Sequence, residues 1–183
     1  MDRPLQKEEE LMKYLIVGLG NMDIEYDGTR HNVGFEVVDA LVNKYEATIR
    51  HEKLGDLANF KYKSRNIYLL KPSTYMNRSG KAVRYWAEKL NIDQDKLLII
   101  VDDLNLDFGK IRIRAKGSDG TDYARIRIGI GDSFHKGQQI DYVLGKWNEN
   151  EQKELPSILT KVSEAALSFT FHGLQTTMNQ FNS

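Results

Sequence analysis

The stretch Tyr14-Leu15-Ile16-Val17-Gly18-Leu19-Gly20-Asn21 decides the fold class of this 183-residue chain. Its first four residues are apolar and mainly branched, which is typical of a short strand that is covered on both faces of a sheet. The glycine-rich end of the stretch stops that strand. A polar loop follows, and a helix is then predicted from about Asn32. Its apolar residues recur at helical spacing: Val33, Val37, Val38, Leu41, Val42 and Tyr45.

The middle of the chain repeats this alternation of strand and helix. Residues 67–70 are apolar and predict a second strand, which Lys71-Pro72 ends. Ser79 is a residue type that caps helices, and it precedes a helical pattern. The apolar face of that helix consists of Ala82, Val83, Trp86 and Leu90. Residues 97–101 predict a third buried strand, which runs directly into Asp102 and Asp103.

The remaining part of the chain changes its pattern and then ends in a long helix. Residues 110–114 and 125–130 alternate between apolar and polar, as half-exposed strands do. Helical spacing then predicts a final helix over about 149–172. Because strands and helices alternate, the sequence indicates the α/β class. We predict a single-domain, three-layer αβα sandwich with a central mixed, mostly parallel sheet.

The composition excludes several classes of protein. The chain has no Cys, so it has no disulfide framework, no thiolate metal site and no cysteine nucleophile. This also fits a reducing compartment. Lys+Arg and Asp+Glu balance at 26 each, which argues against a histone-like polycation but leaves local basic patches open. No apolar run approaches the roughly 20 residues of a membrane span.

The first 11 residues differ from the rest of the chain. They are polar and acidic, with three consecutive Glu, and they contain no apolar core of the kind a signal peptide has. We interpret residues 1–11 as a tag or a disordered leader. The folded domain is then expected to extend over 12–183.

Polar residues follow each of the three buried strands. Asn21 follows the first, Asn77 follows the second within Tyr75-Met76-Asn77, and Asp102 follows the third. In open α/β sheets, ligands bind outside the carboxyl ends of the strands. His31 leads into the first helix near the same rim. The sequence therefore predicts a cleft that holds a carboxylate, an imidazole and two amides.

This set of side chains suits hydrolysis by an activated water. A neutral His is a suitable general base near neutral pH, and a carboxylate beside it fixes its tautomer and stabilises the imidazolium. Carboxamides can donate to a carbonyl or to a developing oxyanion. No G-x-S-x-G nucleophile motif occurs in the chain. The favoured chemistry is water attack promoted by His31 and Asp102.

Simpler interpretations of the same residues stay open on pattern alone. Asp102 can be a turn or cap residue, His31 a helix-end residue, and Asn21 and Asn77 ordinary turn formers. Gly18-Leu19-Gly20 after a strand suggests a dinucleotide-binding turn, but Asp23 stands where the third Gly belongs. The other histidines, His51, His135 and His172, have no metal-ligand spacing, so no metal is expected.

Four longer motifs carry a family resemblance. Residues 15–21 with Tyr26 and residues 29–35 resemble the opening motif of the bacterial peptidyl-tRNA hydrolase family. Residues 71–80 are similar to its second motif. The third and fourth motifs of the family are matched by residues 102–106 and 125–131. The resemblance runs in order from about Met12 almost to the end of the chain.

The resemblance implies a reaction and a role for each matching position. The reaction is hydrolysis of the ester that joins a peptide to the tRNA 3′ end, without metal or cofactor. His31 matches the family's catalytic base, Asp102 its supporting carboxylate, and Asn21 the residue that helps to distinguish peptidyl-tRNA from free aminoacyl-tRNA. The remaining matches line the cleft and hold the acyl-tRNA end: Tyr26, Tyr75 and Asn77. The family also implies a monomer that works on peptidyl-tRNA in the cytoplasm.

One departure from the family pattern is large. After Gly120 the family continues with Gly-His-Asn-Gly and a helix, whereas here Thr121 follows directly. More than a dozen residues of a substrate-gating segment are absent by this comparison. Either the chain lacks the segment, or the sequence joins two stretches across a mobile loop. The mobility of glycine-rich lids favours the second explanation.

Residues 110–127 form a basic strip in a chain of zero net charge. Six basic and two acidic residues lie in this window, and alternation puts the basic side chains of 110–116 on one strand face. Such a face can bind phosphates, although a solvated face with ordinary ion pairs has the same pattern. By resemblance, Arg114 and Arg127 match the positions that hold the acceptor-stem phosphate.

A different class of function is compatible with the same family. By resemblance, relatives of these hydrolases act as non-catalytic RNA-binding splicing factors. The presence of His31, Asp102, Asn21 and Asn77 argues against that alternative, because a pure RNA binder does not need a catalytic base. The apparent absence of the gating segment argues weakly for it.

Overall fold

The computed structural model describes residues 11–115 and 123–182, apart from the side chain of Asn77. Within these residues seven strands form one sheet in the order β2-β3-β4-β1-β5-β7-β6. The strands are β1 Met12–Gly18, β2 Arg50–Glu52, β3 Gly55–Tyr62, β4 Arg65–Pro72, β5 Leu97–Asp103, β6 Ile111–Arg114 and β7 Ala124–Gly129. The four central strands β4, β1, β5 and β7 are parallel, and the outer pairings are antiparallel. The mixed sheet is confirmed, with its parallel part confined to the centre.

Helices cover both faces of this sheet. They are α1 Val33–Lys44, α2 Ser79–Lys89, α3 Gln139–Val143, α4 Glu149–His172 and α5 Leu174–Phe181. Helices α1 and α4 pack on one face, over a large apolar cluster that includes Ile16, Leu98 and Ile126. Helix α2 packs on the other face through Val83 and Trp86. The predicted three-layer αβα arrangement is therefore confirmed.

Most predicted elements occur at their expected places, and two details are wrong. Helix α4 begins at Glu149 and ends at His172, as predicted, but it is not the final helix, because α5 follows it. Ser79, however, does not cap α2: it is the first residue of that helix, and its buried hydroxyl has no hydrogen-bond partner. A short 3-10 turn, Met76–Arg78, leads into the helix instead, so the capping position falls on Arg78.

Two predictions lie at or beyond the limits of the described chain. The acidic leader falls almost wholly within residues 1–10, which are outside the described residues, as is the Gly120–Thr121 junction. Across 11–115 and 123–182, none of the helices has the length and apolar character needed to cross a membrane.

Candidate active site

His31 and Asp102 lie side by side at the carboxyl edge of the parallel strands. His31 belongs to a single 3-10 turn, Arg30–Asn32, directly before α1, and Asp102 is near the end of β5. The distance between His31 Nδ1 and Asp102 Oδ2 is 2.9 Å. The imidazole is 22% exposed and the carboxylate 8% exposed. A carboxylate on Nδ1 leaves Nε2 as the nitrogen that can accept a proton from water.

Glycines bring the start of α1 against the strand ends, and this places His31. A Cβ on Gly34 would lie 2.7 Å from the backbone oxygens of Ile100 and Leu19, closer than real Cβ atoms come. Gly18 faces Gly34 in the same contact. The Leu19 N–H donates to Ile100 O at 2.9 Å and joins β1 to β5 at this point. The glycines therefore serve helix packing, which accounts for them without a bound dinucleotide.

Asn32 is a site residue whose role the sequence does not reveal. Its side chain is buried and forms two hydrogen bonds with the Asn21 backbone: Asn21 N–H donates to Asn32 Oδ1, and Asn32 Nδ2 donates to Asn21 O, both at 2.9 Å. Gly20 packs against the same Oδ1 atom. The loop that carries Asn21 is thus fixed to the turn that carries His31. The only sequence signal is the position of Asn32 next to His31.

Tyr26 and Tyr75 lie on loops at the same edge of the sheet. Tyr26 ends a 3-10 turn, and its carbonyl accepts from the Thr29 hydroxyl at 2.7 Å. The carboxylate of Glu25 raises the pKa of Tyr26, with smaller contributions from burial, Asp23 and Tyr75. Tyr75 follows β4 and is 67% exposed.

Asn77 is placed only through its backbone. It belongs to the 3-10 turn Met76–Arg78 between β4 and α2, at the same edge of the sheet as Asp102. Its side chain lies outside the described part of the structure. Of the four residues expected in the cleft, the structure brings His31 and Asp102 into contact. It joins the Asn21 loop to the His31 turn through Asn32, and the Asn77 amide lies outside the described part.

The basic strip forms an antiparallel pair at one end of the sheet. Arg112 lies opposite Arg127, and Arg114 opposite Arg125, on β6 and β7. Arg127 Nη2 is 2.6 Å from Oδ2 of buried Asp103, and Arg112 Nη1 donates to Asn182 O at 3.1 Å. Arg114 is exposed. The face is therefore partly paired within the protein, and Lys116 lies outside the described residues.

Metal-ligand geometry is not found in the described chain. Over 11–115 and 123–182, no three His, Asp or Glu side chains lie close enough together to hold a metal ion. His51 instead lies 2.7 Å from Asp56 through Nδ1 and Oδ1.

Known proteins share both the sequence and the fold. The family model described as peptidyl-tRNA hydrolase matches residues 15–183. A peptidyl-tRNA hydrolase of Porphyromonas gingivalis is 45% identical over 93% of this chain and 100% of its own, and one of Parabacteroides distasonis is 48% identical over 93% and 99%. A crystal structure of the Acinetobacter baumannii peptidyl-tRNA hydrolase superposes with a TM-score of 0.85 at 32% identity, over 93% of this chain and 94% of that one.

The alignments with these relatives contain positions that this chain does not fill. Both bacterial alignments extend over 185 positions, yet 93% of 183 residues supplies only about 170 of them. About 15 positions of each relative therefore have no counterpart in this chain.

The family model and both relatives match nearly the whole chain. The chain therefore belongs to the peptidyl-tRNA hydrolase family.

Proposed function

We propose that this protein hydrolyses the ester bond between peptide and tRNA in peptidyl-tRNA, and so returns free tRNA from stalled or dropped-off peptidyl-tRNA to translation. The observation that carries the proposal is the 2.9 Å contact between His31 Nδ1 and Asp102 Oδ2 at the carboxyl edge of the sheet. A general base held by a carboxylate is the arrangement that water attack on an ester requires. Family membership supplies the substrate.

In this mechanism His31 Nε2 takes a proton from a water molecule as its oxygen attacks the ester carbonyl. Asp102 accepts the Nδ1 hydrogen bond and stabilises the imidazolium that forms. When the tetrahedral intermediate collapses, the C–O bond to the ribose 3′ oxygen breaks. The imidazolium returns the proton to that oxygen. The products are a peptide with a free carboxyl group and a tRNA with a free 3′ hydroxyl.

The amides and tyrosines are proposed to hold the reacting end of the substrate. The Asn21 loop is fixed to the catalytic turn by its two hydrogen bonds with the Asn32 side chain, so Asn21 is suited to bind the group next to the ester. Asn77 is proposed to position the acyl group. Tyr26 and Tyr75 are proposed to line the cleft, and the exposed ring of Tyr75 offers a surface on which a terminal base can stack.

The tRNA backbone is proposed to bind the β6–β7 arginines. Arg114 is exposed at the end of its strand, where a phosphate can reach it. Arg127 has a second task, because its guanidinium already pairs with Asp103. We propose a monomer, as the family resemblance implies. Because its substrate arises in translation, we propose a cytoplasmic location.

The decisive experiment compares N-blocked aminoacyl-tRNA with unblocked aminoacyl-tRNA as substrates. We expect hydrolysis of the blocked ester only. His31→Ala is expected to lower kcat at least about a hundredfold, the lower end of general-base contributions. The exposed His172→Ala on α4 is the matched control and is expected to keep wild-type kcat.

Two outcomes contradict the proposal. Wild-type turnover in His31→Ala removes His31 from the role of base. RNA binding without hydrolysis of either ester identifies the protein instead as a non-catalytic RNA-binding member of the family.

A further inference from the structure

Arg30, the residue before His31, is charged and yet buried. Its residue surface is 8% exposed. Its Nη2 and Nε atoms donate to the two carboxylate oxygens of Glu151 at 2.8 and 3.3 Å, and Nη1 donates to Tyr142 O at 3.0 Å. All three guanidinium nitrogens are therefore engaged within the protein. A bidentate arginine–carboxylate pair fixes direction as well as distance.

The chain also encloses Arg30 on its flat face and along its backbone. The guanidinium carbon lies 4.1 Å from the centre of the Tyr142 ring and 5.9 Å from that of Trp147. The Tyr142 hydroxyl donates to Ile130 O at 2.6 Å, just beyond β7. The Arg30 N–H donates to Gly145 O at 3.0 Å. The turn before α1 is thus held by its side chain and its main chain together.

Glu151 connects this turn to the longest helix. The Asn148 side chain accepts from the Glu151 N–H at 2.8 Å, and Glu151 Oε1 accepts from the Asn148 N–H at 3.0 Å, which completes a capping box at the start of α4. The same Oε1 atom accepts from Arg30 Nη2. One carboxylate therefore starts a 24-residue helix and anchors the turn that carries His31.

We propose that Arg30 and Glu151 are positioning residues for His31. They fix the Arg30–Asn32 turn and so hold the imidazole in line with Asp102 Oδ2. Stability alone does not require such a pair, because well-packed apolar residues often replace a buried ion pair at no cost in stability. Catalysis does require fixed direction, since a displacement of about 1 Å can lower a rate about a hundredfold. This inference rests on the proposed function of His31.

The test uses Arg30→Lys and Glu151→Gln in the full chain. Lysine keeps the charge but loses the bidentate contact, and glutamine keeps an oxygen for the Asn148 N–H. We expect kcat on N-blocked aminoacyl-tRNA to fall about tenfold, with KM within about twofold, because the base is displaced while the binding surfaces remain. The control is Arg65→Lys. Arg65 Nε donates to Thr170 O near the other end of α4, so it tests attachment of the same helix away from His31.

A second measurement follows the imidazole directly. The low-field proton NMR signal of the His31 Nδ1–H, assigned by its absence in His31→Ala, reports the hydrogen bond to Asp102. We expect it in wild type and Arg65→Lys, and shifted or lost in Arg30→Lys and Glu151→Gln. If both variants keep the signal and wild-type kcat while only their Tm falls, the pair is purely structural and the inference is wrong. If wild type shows the signal but hydrolyses neither ester, the proposed function fails, and the signal in the variants still decides the positioning role.

Discussion

Arginines occupy two regions of this molecule that differ in burial and in pairing: one is buried and fully paired with a carboxylate, and the other is partly exposed. In the inner region, around the start of α1, Arg30 and Glu151 have side chains only 10% and 9% exposed. The outer region is the β6–β7 face. Its Arg127 is 36% exposed and pairs with buried Asp103, and its Arg114 is exposed to solvent. A buried guanidinium whose three nitrogens all donate inside the protein is suited to position its neighbours. One that keeps donors in solvent can bind a ligand.

The pairing of arginines across β6 and β7 also indicates that the outer region can bind an anionic ligand. Arg112 faces Arg127 and Arg114 faces Arg125 across the two strands, and like charges directly opposite each other destabilise a sheet. Asp103 offsets part of this repulsion at one position. A polyanion on this face would offset more of it. In the inner region, by contrast, the charge of Arg30 is matched by Glu151, so Arg30 gains nothing from an external anion.

A substitution at Gly34 is expected to disrupt the packing of the inner region most directly. Gly34→Ala is expected to lower the free energy of unfolding by about 1–3 kcal/mol, because the new Cβ lies 2.7 Å from the Ile100 and Leu19 backbone and α1 must shift. Because the shift moves His31 from Asp102, kcat is expected to fall as well. Chemical denaturation and hydrolysis assays measure the two effects.

Gly80→Ala in α2 is the matched control for this change. Apart from its chain neighbours and the backbone of its own helix, no atom lies within 4 Å of the Cβ position there, and alanine is the better helix former. We expect this variant to be as stable as wild type or slightly more so, with unchanged kcat. If Gly34→Ala behaved like Gly80→Ala, close packing of α1 on the strand ends would not be what places His31.

The outer region is tested by Arg114→Ala and Arg127→Ala side by side. Arg114→Ala is expected to raise KM for the tRNA substrate severalfold with little change in kcat, and to reduce the slope of log affinity against log salt by about 1. Arg127→Ala should do the same and also lower Tm, because it leaves the buried carboxylate of Asp103 without its ion pair. An unchanged KM and salt slope in Arg114→Ala would show that the outer arginines do not bind the substrate.

Other parts of the molecule differ in how far the sequence predicts them. Helical spacing predicts helix α4 over about 149–172, and the structure has these bounds, with a capping box at Asn148 and, at Gly173, a φ of +84°. The hairpin of β3 and β4 is not predicted. Its turn residues, Lys63 and Ser64, both have positive φ. Asn and Gly are the residues that usually adopt this conformation in hairpin turns, and neither is present at these positions.

The same limit applies to the site. His31 and Asp102 are predictable because strand ends collect ligand-binding residues, and that rule needs only local patterns. Arg30 and Glu151 are 121 residues apart, and nothing local in either segment indicates that they meet. The basic strip is visible in the sequence as alternation, but the ion pair of Arg127 with Asp103 appears only once β5 and β7 are adjacent. Contacts between residues far apart in the sequence are therefore what composition and spacing do not predict.

Glu36 provides the finest test of the inner region, because it is a carboxylate there without an arginine. It accepts a hydrogen bond from Trp147 Nε1 at 3.2 Å. Burial raises the pKa of Glu36 above 4.5; the Trp147 bond opposes this, and Asp39 adds to it. The folded protein therefore keeps this proton at pH values where the unfolded chain has lost it. Stability from the protonated form is complete below about pH 4.5 and is lost as pH rises through the folded-state pKa.

Glu36→Gln removes this dependence while keeping an oxygen for Trp147. We expect its Tm to exceed that of wild type at neutral pH, and the difference to shrink toward zero as pH falls below about 4.5. Glu164→Gln, on the exposed face of α4, controls for the loss of one negative charge. A Tm difference that stays constant from acid to neutral pH would mean that Glu36 is solvated well enough to ionise freely. The inner region would then tolerate an unpaired charge, and the pairing of Arg30 with Glu151 would no longer be needed to explain how a charge is buried there.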